Sequence, residues 1–390
     1  MKKLIFTILA AVALLCFSSC FTDDTASVPE NSTDENVTEN ITENESENNT
    51  YTGEKVDVNS GNIEKEPEKP EIVSYTNSNG NLANNGMVLH CGEYLYYDAF
   101  IEDPEDEYTG GAHSIFKVKS DFSAPAEELV NMYFQSIDMC MYGEKLYFSS
   151  GGGGGRHLYE VDTVTGEQKT LHDNLPDYMN IFIDSLYLYN GFLYFECNGS
   201  IYRMKPDQTE FEVLLDKPEG QGVWLMGVED GKVFYRDDMN RTIHRMDENG
   251  DNVIIDNFIG DYFNIYGNRI YYLNEIVSDS ENGEKISAEI VSCDFDGLEP
   301  RTILQLGSGE HCRSINVTDG YVYYSVMLDD GTHKLCEYNL NGGENRVLST
   351  GDAFYQLTLI GRKLYYMTNS YGLVGLCELD LDTLAVRTID

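Results

Sequence analysis

Basic residues are scarce: lysine and arginine number 26 against 67 aspartates and glutamates, for a formal net charge of −41 at pH 7. Nucleic-acid binding needs a basic footprint on the phosphates, so that class of partner is excluded. The seven histidines never fall in His-x-x-x-His or His-Glu-x-x-His spacing, and no Cys-x-x-Cys pair opens a zinc site. No metal ligand and no cofactor site is therefore nominated. There is no Gly-x-Ser-x-Gly elbow, and carboxylates are too numerous for a glycosidase pair to be picked out by counting. No catalytic residue is nominated either, and the chain is expected not to be an enzyme. The run Gly151 to Gly155 lacks the Gly-Lys-Ser/Thr ending of a phosphate loop and lies between two strand-like segments, so it reads as a loop. No apolar run is long enough to span a bilayer; the longest, Leu4 to Phe17, falls short of the roughly 20 residues required. A helical period is missing from everything that follows residue 87.

What fills that space is a repeated phrase. Turn glycines at Gly92, Gly143, Gly191, Gly231, Gly267, Gly320 and Gly361 are spaced about 36 to 53 residues apart, the period of a four-stranded propeller blade. Each precedes an apolar run holding adjacent aromatic or bulky residues: Tyr96-Tyr97, Tyr147-Phe148, Tyr194-Phe195, Phe234-Tyr235, Tyr271-Tyr272, Tyr323-Tyr324 and Tyr365-Tyr366. A strand with one wet face alternates, whereas adjacent bulky residues require cover on both faces. A further strand follows, as in Leu158 to Asp162, Ile243 to Asp247 or Leu376 to Asp380, and ends in Asp- and Asn-rich turns. The expected fold is all-β: a β-propeller of seven four-stranded blades. Leu384 to Ile389 occupy the fourth-strand position of the last unit, so the ring is expected to close by side-chain packing alone, with Ile72 to Tyr75 available as an added outer strand.

The first 19 residues carry Lys2 and Lys3, the apolar stretch, and small residues before Cys20, the pattern of a signal peptide. Phe17-Ser18-Ser19-Cys20 resembles the lipobox of bacterial lipoproteins, in which the cysteine is acylated; Phe17 stands where leucine is usual. That resemblance implies Cys20 as the lipid attachment site and a location on the extracytoplasmic face of a bacterial cell membrane. Residues 20–72 hold about fifteen acidic residues against three lysines and almost no aromatics, too little apolar surface to offset ordering entropy, and read as a disordered tether. Asn-x-Thr/Ser triplets there are read as incidental to low-complexity sequence. The division is thus 1–19 signal, 20–72 tether and 73–390 propeller.

Nine cysteines in an exported chain raise the question of disulfides. Removing Cys16 with the signal and Cys20 to the lipid leaves an odd number. Cys336 and Cys377 occupy equivalent strand positions of successive blades, beyond disulfide reach, and are expected as buried small hydrophobes between blades. The acidic turns are read as turn formers in preference to calcium loops. Most of the 28 tyrosines are expected in the core with hydroxyls reaching backbone partners. The single tryptophan, Trp224, opens the fourth unit near Gly222 and is the ligand-binding candidate, with burial at a seam as the competing reading. Ser278 to Ser287 and Glu102 to His113 are the longest insertions and would form a rim.

Asn77-Ser78-Asn79-Gly80-Asn81-Leu82-Ala83-Asn84-Asn85-Gly86, followed by Tyr94 to Tyr97, resembles the opening of a bacterial family of unknown function whose members are similar to the β-propellers of low-density-lipoprotein-receptor-related proteins. Ile201 to Met204 and Ile243 to Met246 look like the same family, so the resemblance spans roughly residues 77 to 390. The receptor motif Tyr-Trp-Thr-Asp is approached only by Tyr235-Arg236-Asp237. The resemblance implies a fold and an extracytoplasmic setting, and no activity. The expected function is a membrane-anchored, monomeric binding or scaffold protein engaging an envelope protein, peptide or glycan, with basic proteins, cations and neutral glycans as candidate partners. The alternative is an envelope carbohydrate hydrolase or lyase with facing carboxylates on the propeller axis.

Overall fold

The computed structural model describes residues 74–102, 111–132, 134–152, 155–171, 182–217, 222–258, 260, 262–280, 283–351, 353–368 and 376–389. Cys20, the signal and the tether lie outside the described residues. From Val88 onward the chain builds seven antiparallel sheets of four consecutive strands each, the second of which gains one extra strand from the N-terminal side. This is the seven-bladed propeller the repeat predicts. Blade one runs Val88–Cys91, Tyr94–Glu102, Gly111–Lys119 and Glu127–Met132. The innermost strands of the remaining six are Ser136–Tyr142, Ile183–Tyr189, Val223–Glu229, Phe263–Tyr266, Glu310–Thr318 and Tyr355–Ile360. Last comes Val386–Ile389, the outer strand of blade seven, in phase as expected.

The aromatic doublets explain the ring. The core divides into clusters, one at each seam between neighbouring blades. In blade two, Tyr147 packs with Leu186, Leu193 and Phe195 of blade three, while Phe148 packs with Leu89, Tyr96 and Ile115 of blade one. Tyr323 and Tyr324 divide in the same way between the seams to blades seven and five. Successive strand residues point to opposite faces, so a doublet supplies one ring to each neighbour. The seam between blades seven and one closes without a shared strand: Met87, Val88, Tyr97 and Val118 pack on Tyr365, Met367, Leu376 and Ile389, and the Arg387 guanidinium sits 3.7 Å from the centre of the Phe122 ring.

The third-to-fourth-strand turns follow one rule. Asp162 Oδ1 accepts from the amides of Val164 and Thr165, Asp380 Oδ1 from those of Asp382 and Thr383, and Asn339 Oδ1 from those of Asn341 and Gly342. These residues are turn formers. No disulfide joins the described cysteines, all of which are buried except Cys91, which is half-buried. Burial pushes the Cys293 and Cys336 thiols up to about 11, so they stay protonated and pack as small apolar groups. Several tyrosine hydroxyls depart from expectation by meeting carboxylates instead of backbone: Tyr147 donates to Glu160 and Tyr365 to Glu378. The acid sits directly across the strand pair from each ring and is held in turn by lysine or arginine neighbours. The segment expected as a loop at Ser278 to Ser287 is instead a long hairpin, Arg269–Ser280 paired with Gly283–Asp294 down to Ser280 opposite Gly283.

The larger departure is at the N-terminal side. Ser74–Thr76 does add a strand, but to the inner edge of a blade and not the outer one: Ser74, Tyr75 and Thr76 face Tyr142, Met141 and Cys140 of the innermost strand of blade two. The chain then forms a one-turn helix, α1 (Asn79–Ala83), in the only helical segment among the described residues. Ser78 caps it, accepting from the Asn81 amide, and Asn85 ends it in the left-handed region (φ 55°) with Gly86 N donating to Asn81 O at 2.7 Å. This segment lies inside the ring. Ser74–Thr76 touches the inner strands of blades one, two and three, and α1 those of blades four to seven.

Apart from that of blade two, which pairs with Ser74–Thr76, the inner strands present backbone groups toward the axis with no further strand to pair them. Asparagine carboxamides, each carrying donor and acceptor, complete those pairs. Asn81 accepts from Leu359 N at 2.7 Å and donates to Leu359 O at 2.9 Å. Asn84 donates to Ile315 O at 2.9 Å and to Leu357 O at 3.2 Å. Asn264 and Asn316, from the inner strands themselves, reach Ile315 O and Leu357 O. Gly227 leaves room for the plug here: a Cβ on it would stand 2.7 Å from Asn79 Oδ1, so that side chain would have to move. Residues 74–86 are thus a plug through the axis of the propeller.

Candidate functional site

Antiparallel blades put two kinds of connection on opposite faces. The tight turns at Gly92 and its equivalents occupy one, the turn face; loops between second and third strands, together with blade-to-blade links, occupy the other, the loop face. Ser74 pairs with Tyr142 beside the turn at Gly143, so the plug enters at the turn face. It leaves at the loop face, where blade one begins.

There, the end of the plug forms part of a recess of about 90 Å³, with Leu82, Ala83 and Asn85 on one side and Asp138, Ser185, Tyr187, Trp224 and Arg236 on the others. Trp224, the sequence candidate, is 39% exposed at this mouth. It belongs to an inner strand, and its indole Nε1 donates to Asp238 Oδ2 at 2.6 Å. Asp238 also holds Arg236, whose Nε lies 2.5 Å from Asp238 Oδ1. The guanidinium donates further to Gly260 O at 3.1 Å and stands 5.8 Å from the indole ring centre. Trp224 is therefore fixed in orientation, with its hydrogen-bonding edge satisfied.

Asp138 is 2% exposed, on the irregular stretch of its strand between Ile137 and Cys140, with φ 57°. Tyr187 donates its hydroxyl to Met226 O at 2.5 Å. Burial, with the Asp138 charge adding to it, pushes the Tyr187 phenol well above its ordinary value, so it remains a neutral donor. Of this constellation the sequence reading found Trp224 alone. Asp138 could have been singled out as a carboxylate within the otherwise apolar strand Ser136–Tyr142, and Arg236 as the break after the fourth doublet.

A second, wider groove of about 410 Å³ lies on the turn face at the seam of blades seven and one, beside His90, Arg362, Lys363 and Asp382. Its cations are matched at close range, Arg362 by Asp382 at 3.0 Å and Lys363 by Glu378 at 3.2 Å. Titratable clusters also occur within blades. His113 Nδ1 lies 2.6 Å from the fully buried Asp98, whose other oxygen accepts from Ser136 N, and Tyr235 meets both His244 and Asp251. These groups tie strands together. No group of three or more metal-type side chains occurs among the described residues. Among the described residues, the plug brings the carboxamides of Asn81 and Asn84 to the axis. No helix among the described residues is long and apolar enough to cross a membrane.

No protein-family model and no curated protein matches this chain. Solved structures do. The chain is similar to a puromycin-hydrolyzing peptidase of Mycobacterium tuberculosis at 11% identity and TM-score 0.55, covering 81% of this chain and 55% of that one. It is similar to a prolyl endopeptidase at 12% identity and TM-score 0.53, covering 80% and 50%. It is also similar to the β-propeller domain of the trilobed protease from Pyrococcus furiosus, at 14% identity and TM-score 0.53, covering 77% and 95%; that domain has an open velcro topology. This chain spans about half the length of the first two. At such identities the likeness is one of fold. It nonetheless corrects the expectation that the chain is not an enzyme: the same fold occurs in peptidases, so the absence of a catalytic motif is no ground for excluding activity.

Proposed function

We propose that this protein is a membrane-anchored binding module that engages an envelope partner through the recess at its loop face. The observation that carries this reading is Trp224: a large apolar side chain held rigidly by Asp238, yet 39% exposed, at the mouth of a concavity whose axial side is sealed. An exposed, oriented aromatic at a concave site is the usual anchor of a recognition surface. Met239, 72% exposed on the adjoining loop, extends the apolar rim. Cys20 would supply the lipid, residues 20–72 the tether, and the propeller would act as a monomer on the extracytoplasmic face. The acidic surface argues for partners other than nucleic acid.

Two experiments test the two halves. Cys20→Ala should move the protein from the membrane fraction to the soluble one; retention in the membrane would refute the anchor. The soluble Cys20→Ala chain and its Trp224→Ala counterpart, each immobilised and exposed to envelope extract, should differ in a retained component. Identical profiles would refute the recess as the binding site.

A further inference from the structure

The shape and charge of the recess select among the candidate partners, on the reading above that it is a binding site. A pocket enclosing a whole drug-sized ligand measures about 300–1,000 Å³. At about 90 Å³ this recess has room for one extended side chain, and a sugar ring would remain largely outside it. Its walls combine a buried carboxylate, Asp138, with two aromatics, Tyr187 and Trp224, and the apolar side chains Leu82 and Met226. The one basic residue present, Arg236, has its charge matched by Asp238 at 2.5 Å. Among the described residues at the recess, two charged side chains are acidic, Asp138 and Asp238, and one is basic, Arg236. Aromatic faces beside a carboxylate, in a wall with little solvent, attract a cation more strongly than either group does in water. The chain as a whole has the same sign, with a formal net charge of −41, most of it in residues 73–390.

We propose that the recess takes the cationic side chain of a basic polypeptide segment, lysine being the residue of best fit. The ammonium is directed to Asp138, the aliphatic stem lies along Leu82 and Met226, and Trp224 covers the chain at the mouth. The acidic surface outside the recess guides approach, while the recess supplies selectivity for one charged side chain.

The test uses full-length Cys20→Ala protein and an end-blocked pentapeptide with a single central lysine among glycines. Its counterpart carries acetyl-lysine, which keeps the stem and removes the charge. Binding is read through the fluorescence of the only tryptophan and, independently, by calorimetry. The lysine peptide should bind saturably and at least tenfold more tightly than the acetyl-lysine peptide. That ratio should persist at 0.5 M salt, where attraction to an exposed acidic surface is screened beyond a few ångströms. Asp138→Asn should collapse it to less than twofold. Trp224→Leu, a change at an exposed position that leaves the carboxylate in place, should weaken both peptides by calorimetry while keeping their ratio, and so provides an independent check should Asp138→Asn fail to fold.

Equal binding of the two peptides, a ratio that vanishes in salt, or a ratio untouched by Asp138→Asn would overturn the proposal. A neutral oligosaccharide that changes Trp224 fluorescence while the lysine peptide does not would overturn it too, and would leave the recess standing as a binding site. Identical envelope profiles with and without Trp224 would remove the site itself.

Discussion

Asn81 shows how one side chain can stand in for a strand. Its carboxamide makes with Leu359 the same pair of hydrogen bonds that a neighbouring backbone would make, across 278 residues of sequence. Replacing it by leucine, close in size, leaves a buried amide and carbonyl of blade seven without their partner, at about 1–3 kcal/mol for each group. Asn81→Leu should therefore lower the denaturant midpoint clearly more than a change at an exposed asparagine such as Asn341, when the two are compared in one unfolding series. Trp224 belongs to the opposite category. Its ring is substantially exposed and its indole is held by a hydrogen bond to an exposed aspartate, so Trp224→Ala should shift stability by no more than about 1 kcal/mol in the same assay. The sequence distinguished these residues only in part. A lone tryptophan is conspicuous in any chain, whereas Asn77 to Asn85 read as a family opening because their partners belong to blades encoded hundreds of residues later.

Strands and turns were more legible, since each is governed by neighbours in sequence. The doublets predict rings on both blade faces because side chains alternate along a strand, and Asp or Asn at the head of a turn predicts the side-chain cap that Asp162, Asp207, Asn339 and Asp380 make. The edge to which Ser74–Thr76 would pair was not legible. Three residues of alternating partial exposure carry no strong face preference, and an inner edge exists only once the ring has closed. The capped aspartates also give the turns a pH dependence. Hydrogen bonds from the Thr209 hydroxyl and amide lower the Asp207 carboxyl, and those from the Thr383 amide and hydroxyl the Asp380 carboxyl, below their ordinary value of 3.8. A carboxyl lowered in the folded state contributes stability above its unfolded value, and that contribution is lost as pH falls through the folded one. Thermal midpoints should thus decline below about pH 4. Asp380→Asn, which copies the natural arrangement at Asn339, should keep the turn and flatten part of that decline; an unaltered acid limb in the variant would count against the caps.

At the scale of the molecule, seven seams carry the core, and the one between blades seven and one receives no strand from elsewhere. Ile389 is 6% exposed in that seam, packed with Tyr97, Val118 and Tyr365. Ile389→Ala should cost about 2–5 kcal/mol, read as a lowered denaturant midpoint. The ring also bears self-repulsion, since most of the chain's net charge of −41 falls in residues 73–390. Monovalent salt should raise its thermal midpoint up to a few tenths molar, as screening shortens the reach of that repulsion; a falling midpoint would show that matched pairs such as those of Glu378 outweigh the excess.

The plug has a mechanical consequence. A pull on the N-terminal side of Ser74 acts along the axis of the ring, not at the rim of a single blade. To yield, the strand Ser74–Thr76 must slide against blade two while the carboxamides of Asn81 and Asn84 break with blades six and seven together. Bonds loaded in parallel share the force, whereas strands peeled from an outer edge would fail one pair at a time. Drag on a propeller held by its N-terminus would thus be spread over the circle of inner strands and would peel no blade away.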